Sequence, residues 1–224
     1  MLQSLAIIVT DAREIITDQR GCYQSALALP AGTSVLSHLL SQLAQAGVQK
    51  TVILSLYGVG DLGLDLRNSL YGMELCLRAL PTPNAGRLVD AVAVDEISEV
   101  CGDVFVFTEN LNIDFSLIER LVQSSESNLV VVGRAHSQRS LHLLMNKTLR
   151  LTAILPQGSV SGRNVSVDLS PVGVYKFAPK LLRSIARNRR RRSNDDLEFF
   201  ETALGRQAYE IHVMHGGTTG RHEG

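Results

Sequence analysis

The sequence predicts an α/β fold with three layers, α/β/α, around a mixed, mostly parallel sheet. Short apolar runs alternate with segments in which apolar residues recur with the helical period, which is typical of strands joined by helices. Hydrophobic residues make up 45% of the chain and charged residues 20%, as in ordinary globular proteins. The 224 residues suit one domain, which we place at 1–215, followed by a disordered Gly- and His-rich tail at 216–224.

The first half of the chain shows the alternation most clearly. The apolar run at 4–10 predicts the first strand, and residues 34–47 carry one apolar stripe of an amphipathic helix. Ser34 or Thr33 can cap the start of this helix, and Gly47 can end it. Further strands are predicted at 50–56, 74–80 and 104–108, and a helix at 87–101.

The second half continues the pattern with more β structure. Helices are predicted at 116–124, 181–192 and 197–204, strands at 129–132 and 209–214, and further β structure at 148–155 and 164–177. The helix at 181–192 ends in a run of arginines. Such a run can bind phosphate or nucleic acid, but no aromatic residue interleaves it and acidic residues follow directly. A solvated helix end is the favoured interpretation.

Charge, apolar runs and cysteines exclude several classes of protein. The formal net charge is zero, so we expect no nucleic-acid partner. No apolar run reaches the roughly 18 residues of a membrane span, and no signal peptide is recognised, so a cytoplasmic location is expected. Cys22, Cys76 and Cys101 form no CxxC pair and are expected to be reduced, buried or half-buried thiols. Only Cys22, in a predicted loop, could be a nucleophile, and a structural role is favoured.

Four short motifs occur in an informative order. They are Ala28-Leu-Pro-Ala-Gly32 with the helix after it, Phe105-Val-Phe-Thr-Glu-Asn110, Val172-Gly-Val-Tyr175 and His215-Gly-Gly-Thr218. Their order and spacing resemble those of the sugar-phosphate nucleotidyltransferases, also called nucleoside-diphosphate-sugar pyrophosphorylases. The resemblance covers nearly the whole chain. It implies a Rossmann-like nucleotidyltransferase (GT-A-like) domain, a nucleotide or nucleotide-sugar ligand, and a role in polysaccharide biosynthesis.

The chemistry implied by this resemblance is nucleotidyl transfer. A sugar phosphate attacks the α-phosphorus of a nucleoside triphosphate, and pyrophosphate leaves. The family uses a Gly-rich loop, a lysine, an arginine and two carboxylates that hold Mg²⁺, because negative charge gathers on the phosphates.

The positions that match these groups are altered here. The first glycine of the loop falls near Ala12, and the signature lysine falls on Gln24 and Ser25. The two metal-binding aspartates fall on Asn110 and His215. A neutral Asn/His pair is a poor site for Mg²⁺, so Mg²⁺ is expected only if the protein is active. The joint loss predicts relaxed catalytic constraint.

Residues at these positions, and those beside them, are the candidates for ligand binding. They are Thr10, Asp11, Ala12, Arg13, Arg20, Ser25, Ala85, Gly86, Glu109, Asn110, Gly173 and His215. Arg13 and Arg20 could clamp phosphates through bidentate hydrogen bonds, although solvated loop arginines are the favoured interpretation. Asp103 and Asp114 are expected to flank the carboxyl edge of the sheet in turn and cap roles.

Three hypotheses follow. The favoured one is a degenerate nucleotidyltransferase-like protein that acts as a ligand sensor, or as a regulatory subunit of a homo-oligomer or of an active paralogue. The second is an active transferase in which Arg13, Arg20, Glu109 and His215 replace the usual groups. The third is a glycosyltransferase, but the nearest match to its Asp-x-Asp metal motif is Asn110-Leu-Asn112, which has no carboxylate.

Overall fold

A seven-stranded sheet forms the centre of the computed structural model of this chain. The structure describes residues 3–10, 15–17, 23–25, 35–55, 72–80, 88–108, 113–134, 141–155, 169–188, 196–205 and 209–216. In chain order the strands are β1 (Leu5–Thr10), β2 (Ile15–Thr17), β3 (Tyr23–Ser25), β4 (Lys50–Ser55), β5 (Glu74–Ala79), β6 (Val104–Phe107), β7 (Leu129–Arg134), β8 (His142–Met145), β9 (Leu151–Leu155), β10 (Leu169–Phe177) and β11 (His212–His215). The helices are α1 (Val35–Gln45), α2 (Leu88–Ala91), α3 (Phe115–Gln123), α4 (Pro179–Asn188) and α5 (Asp196–Gly205), with a 3₁₀ helix at Asp95–Ser98.

The strand order of the main sheet is β11-β7-β10-β6-β1-β4-β5. The pairs β6–β1, β1–β4, β4–β5 and β11–β7 are parallel, whereas β10 is antiparallel to both β6 and β7. All strands except β10 therefore run in the same direction. The predicted mixed, mostly parallel sheet is confirmed.

Helices cover both faces of the sheet, and a separate apolar core lies under each layer. Along β1, Leu5, Ile7 and Val9 enter one core and Ala6 and Ile8 the other, because successive side chains of a strand point to opposite faces. Helices α1 and α3 pack on the face of Ile8, and α2, α4 and α5 pack on the face of Ile7. This burial on both faces explains why β1 is a continuous apolar run. The predicted three-layer α/β/α arrangement is confirmed.

Two antiparallel hairpins, β2–β3 and β8–β9, form two-stranded sheets of their own. Strand β9 of the second hairpin lies within the β structure predicted at 148–155, whereas β8 was not predicted. Its turn reaches the outer side of β11, where Val213 donates its N–H to the carbonyl of Leu149 (2.9 Å) and Leu151 donates to Ile211 (2.8 Å). The β11 edge of the sheet is therefore covered.

The predicted helix at 87–101 is wrong. Helix α2 ends at Ala91, and the next amides bond three residues back, from Ala93 to Asp90 and from Val94 to Ala91. Val94 then takes an extended conformation before the 3₁₀ helix begins. Apolar spacing alone could not distinguish these short turns from one long helix.

The amino end of the sheet is held by polar groups. Lys176 of β10 is only 2% exposed, and its ammonium donates to the carbonyl of Ser124 (2.7 Å) and pairs with Asp103 (3.0 Å). The prediction that Asp103 flanks the carboxyl edge is wrong, because this residue directly precedes β6 and so lies at the amino end. Asp114 does follow the carboxyl end of β6, and it is the N-cap residue of α3.

The cysteines fit the prediction only in part. Cys76 is half-buried, as expected, whereas Cys101 is exposed, and both are free thiols. The predicted burial of Cys101 is wrong because this residue lies in the short connection between the 3₁₀ helix and β6, outside both cores. Cys22 lies outside the described residues.

Candidate functional site

The candidate site lies at the carboxyl ends of β1 and β6, where the strand order reverses. From β1 the chain passes through α1 to β4 and then β5, on one side of β1, and then returns to β6 on the other side. In open α/β sheets a ligand crevice forms outside the carboxyl ends of the strands at such a switch point. Thr10 ends β1 and Thr108 directly follows β6, so both lie at the predicted position of a ligand.

Hydroxyl side chains occupy three neighbouring strand ends at this edge. Thr10 is half-buried and pairs with Ser55 of β4, which is 2% exposed. Thr108 is 6% exposed and lies one step beyond Phe107. By the alternation along each strand, Thr10 and Ser55 share the face of α1, and Thr108 faces the opposite layer. Ser55 and Thr108 were not among the predicted site residues. Thr108 lies in the motif at 105–110, of which only Glu109 and Asn110 were predicted, and Ser55 lies in no quoted motif.

Gly173 fixes the direction in which the chain leaves β6. It lies in a bulge of β10, where the register shifts between Pro171 and Tyr175, and its φ is +79°. This left-handed conformation favours glycine. The carbonyl of Gly173 accepts the N–H of Thr108 at 2.8 Å. The predicted site residue Gly173 therefore lies next to Thr108 and positions the backbone that enters residues 109–112.

His215 lies at the same edge of the sheet but farther along it. It ends β11, is exposed, and its carbonyl accepts a hydrogen bond from the guanidinium of Arg120 (3.2 Å). Strands β7 and β10 separate β11 from β6, which places His215 about 14 Å from β6 at the usual strand spacing. The sheet therefore does not bring His215 into direct contact with the end of β6.

A hairpin follows β1 at the position of the family's glycine loop. Ser25, a predicted site residue, belongs to β3 and pairs with Ile15 of β2. Strand β2 thus begins three residues after Ala12, where the resemblance places the first glycine of the loop. Extended, paired backbone at 15–17 differs from the tight turn by which a glycine-rich loop surrounds phosphates.

The remaining predicted site residues lie outside the described residues. They are Asp11, Ala12, Arg13, Arg20, Ala85, Gly86, Glu109 and Asn110. In the chain, residues 11–14 follow β1 and residues 109–112 follow β6, whereas residues 81–87 follow β5, which β4 separates from β1.

The described part of the chain holds no group of three or more His, Cys, Asp or Glu side chains that could bind a metal ion. Shifted pKa values occur away from the switch point. The pKa of Lys50 is raised, first by its hydrogen bond to Glu74, and the pKa of Arg78 is raised, first by its hydrogen bond to Cys76 and then by the charge of Glu96. Hydroxyl side chains, those of Ser55, Thr10 and Thr108, lie at the carboxyl ends of β4, β1 and β6.

Comparison with known proteins shows one sequence relative. No family model matches the chain. The uncharacterized protein y4rO of Sinorhizobium fredii (strain NBRC 101917 / NGR234) is 52% identical over 214 residues, which cover 96% of this chain. The chain spans only 35% of the length of that relative.

Solved structures show the fold. A candidate glucose-1-phosphate thymidylyltransferase from Bacillus anthracis is similar with a TM-score of 0.66 at 14% identity, covering 96% of this chain and 88% of that one. The inositol-1-phosphate CTP transferase from T. maritima gives 0.63 at 13% identity, covering 97% and 86%. A CMP:2-keto-3-deoxy-manno-octonic acid synthetase, complexed with CTP, gives 0.62 at 12% identity, covering 95% and 89%. The chain thus has the Rossmann-like fold of the sugar-phosphate nucleotidyltransferases. Among the described helices, none combines the length and apolar character needed to cross a bilayer.

Proposed function

We propose that this chain binds a nucleotide or a nucleotide sugar at the carboxyl ends of β1 and β6, without catalysing metal-dependent nucleotidyl transfer. One observation carries the proposal: the fold has its switch point, and the residues that the resemblance matches to the family's phosphate-binding groups are of other types. Thr10, Thr108 and the Gly173 bulge form the strand ends of the crevice. The sequence beside them has Ala12 for the loop glycine, and Gln24 and Ser25 for the lysine.

The chemistry of the strand ends supports binding more than catalysis. Transfer at an α-phosphorus needs cationic groups at fixed positions, because charge builds up on the phosphate oxygens. By the resemblance, the positions of the two metal-binding aspartates fall on Asn110 and His215, and His215 lies three strands from β6. Hydroxyls and backbone amides can instead bind base, ribose and sugar groups, each hydrogen bond contributing about 0.5–1.5 kcal/mol. Such a site favours recognition of a ligand.

The biological role that fits a binding domain is sensing or regulation in nucleotide-sugar or polysaccharide metabolism. The descriptions of the nucleotidyltransferases of similar fold name CTP or a sugar phosphate. In the relative y4rO, the matching region is about one third of a longer chain. This organisation supports a ligand-binding domain that acts together with further parts of a protein.

A thermal-shift screen tests the proposal. The ligands are CTP, dTTP, UTP and their nucleotide sugars, each with Mg²⁺ and with EDTA. A ligand that binds only the native state stabilises it by about 2.7 kcal/mol at 100 times its Kd. We expect at least one ligand to raise Tm equally in Mg²⁺ and EDTA.

Matched variants locate the binding. Thr10→Val and Thr108→Val should reduce the ligand-induced shift, because each removes a hydroxyl at the switch point. Thr152→Val, which alters an exposed threonine of β9, should leave it unchanged. No shift with any ligand would contradict binding. Release of pyrophosphate from a triphosphate and a sugar phosphate, dependent on Mg²⁺, would instead establish an active transferase.

A further inference from the structure

The two edges of the main sheet differ. The outer side of β11 is covered by residues 149–151, but among the described residues no strand pairs with the outer side of β5. The four central residues of β5 are half-buried, from Leu75 to Arg78. An open edge strand presents unpaired amides and carbonyls and is a template for another strand.

The hydrogen bonds of β5 define which backbone groups point outward. Glu74 donates its N–H to Gln49 (2.9 Å), and Leu80 donates to Ser55 (2.7 Å). The backbone N–H and C=O groups of successive residues point to opposite sides of a strand. The even-numbered residues of β5 therefore bond to β4. The amides and carbonyls of Leu75, Leu77 and Ala79 therefore point away from the sheet.

We propose that β5 pairs with the β5 strand of a second copy of this chain, antiparallel, around a two-fold axis at Cys76. In this register Glu74 lies opposite the partner's Arg78, and Leu75 lies opposite the partner's Leu77. Cys76 lies opposite the partner's Cys76. A two-fold axis perpendicular to the sheet keeps each face on the same side, so opposite residues share a face. The result is one continuous sheet across two subunits.

The backbone permits this register, and the charges select it. Leu75 and the partner's Leu77 both have outward amides and carbonyls, so they can exchange two hydrogen bonds. Cys76 then forms a non-hydrogen-bonded pair, in which the two Cα atoms are about 4.5 Å apart. Moving the axis to Leu75 places the partner's Arg78 opposite Gly72, and moving it to Leu77 places Arg78 opposite Cys76. Only the axis at Cys76 places the carboxylate of Glu74 opposite the guanidinium of the partner's Arg78.

The two charged side chains are exposed enough to reach a partner. Glu74 is 60% exposed and pairs with Lys50 at 3.0 Å. Arg78 is 41% exposed and pairs with Glu96 at 2.6 Å and with Asp95 at 3.6 Å. A guanidinium has five donors, so Arg78 can keep Glu96 and exchange the longer contact with Asp95 for the partner's Glu74. The interface would join Lys50, Glu74, the partner's Arg78 and the partner's Glu96 in a row of alternating charges.

Cys76 lies at the centre of the charged face. Glu74, Cys76 and Arg78 alternate with Leu75 and Leu77, so all three side chains share the face of the 3₁₀ helix, where Arg78 meets Glu96. The hydrogen bond between Cys76 and Arg78, which raises the pKa of the guanidinium, is consistent with this placement. The thiol of Cys76 is therefore a direct reporter of the proposed axis.

Sedimentation velocity of the full chain tests the charge pairing. The wild type should show a concentration-dependent dimer. Glu74→Arg should raise the dimer Kd at least about tenfold, because it sets like charges opposite each other twice. Glu99→Arg makes the same change in net charge at an exposed residue outside β5 and should dimerise like the wild type. A monomeric wild type, or a Glu74→Arg variant with unchanged Kd, would overturn the proposal.

Disulfide cross-linking tests the register without altering the charges. In the Cys22→Ser/Cys101→Ser variant, diamide should give a covalent dimer, as two Cys76 thiols lose two protons and two electrons to the oxidant. In Cys22→Ser/Cys76→Ser, diamide should give no covalent dimer. If only the variant that retains Cys101 is cross-linked, the proposed axis is wrong.

Discussion

At the amino end of the sheet, buried polar groups pair with one another, whereas at the carboxyl end hydroxyls and a left-handed glycine surround the switch point. Asn128 is the centre of the first region: its side chain accepts from the N–H of Ala178 and donates to Glu210, and its carbonyl accepts from His212. Thr108 is the matching centre of the second region, held by the carbonyl of Gly173.

The difference separates stability from function. At the amino end, side chains 2–6% exposed, such as Lys176 and Asn128, have their partners within the fold and fix the register of β7, β10 and β11. At the carboxyl end, the conformation of Gly173 is one that other residues adopt only with strain. Buried polar groups with partners fix a fold, whereas a backbone conformation reserved for glycine shapes the edge at which a ligand can bind. Substitutions at the amino end should therefore mainly lower stability, and substitutions at the carboxyl end should mainly reduce ligand binding.

Lys176→Ala should have the largest effect, on stability. The variant leaves the carbonyl of Ser124 and the carboxylate of Asp103 without their cation and opens a cavity, which should lower the free energy of unfolding by about 3 kcal/mol. Urea denaturation measures the change. Lys180→Ala, an exposed lysine of α4, is the control and should cost less than about 0.5 kcal/mol. Equal stability of the two variants would show that the buried ammonium contributes nothing.

Gly173→Ala should have an intermediate effect on stability and a strong effect on binding. An alanine at φ +79° costs about 1–2 kcal/mol, and relief of that strain would turn the carbonyl away from Thr108. Gly205→Ala, at the end of α5, is the control, because nothing lies within 4 Å of its added Cβ and its φ is not left-handed. We expect only Gly173→Ala to lose the ligand-induced rise in Tm.

Lys50→Met should have the smallest effect, with a defined pH dependence. Because Glu74 raises the pKa of Lys50, the ion pair stabilises the fold fully below the unfolded pKa of 10.5 and loses this effect as pH rises through the higher folded pKa. Glu74 is exposed, so the variant should lose less than about 1 kcal/mol at pH 8. Denaturation at pH 8 and pH 11.5 should show that the difference from the wild type narrows at high pH. A difference that widens would contradict the assigned pair.

The elements predicted correctly are those whose burial requires a regular pattern of apolar residues in the sequence. Strands β1, β4 and β6 are continuous apolar runs because both faces of the sheet are covered. Helix α1 shows an apolar stripe, and Gly47 ends it with φ +87° as predicted. The prediction of one helix at 87–101 failed because short turns and a helix can bury the same apolar positions.

The candidate site was predictable only in part. The position of Thr10 follows from the end of an apolar run, but the contact between Thr108 and Gly173 depends on a bulge that joins residues distant in sequence. Asp103 was assigned to the wrong edge, although its position before β6 already places it at the amino end. The sequence thus shows at which end of a strand a residue lies, but it does not show which distant segments pair.

Hydrogen–deuterium exchange with the best ligand of the thermal-shift screen, in EDTA, tests the central claim most directly. Slower exchange on ligand binding should appear in peptides that contain the carboxyl ends of β1 and β6 and the Gly173 bulge. Peptides at the amino end, around Asn128, should exchange as in the free protein. Protection confined to the amino end, or protection that requires Mg²⁺, would contradict metal-independent binding at the switch point.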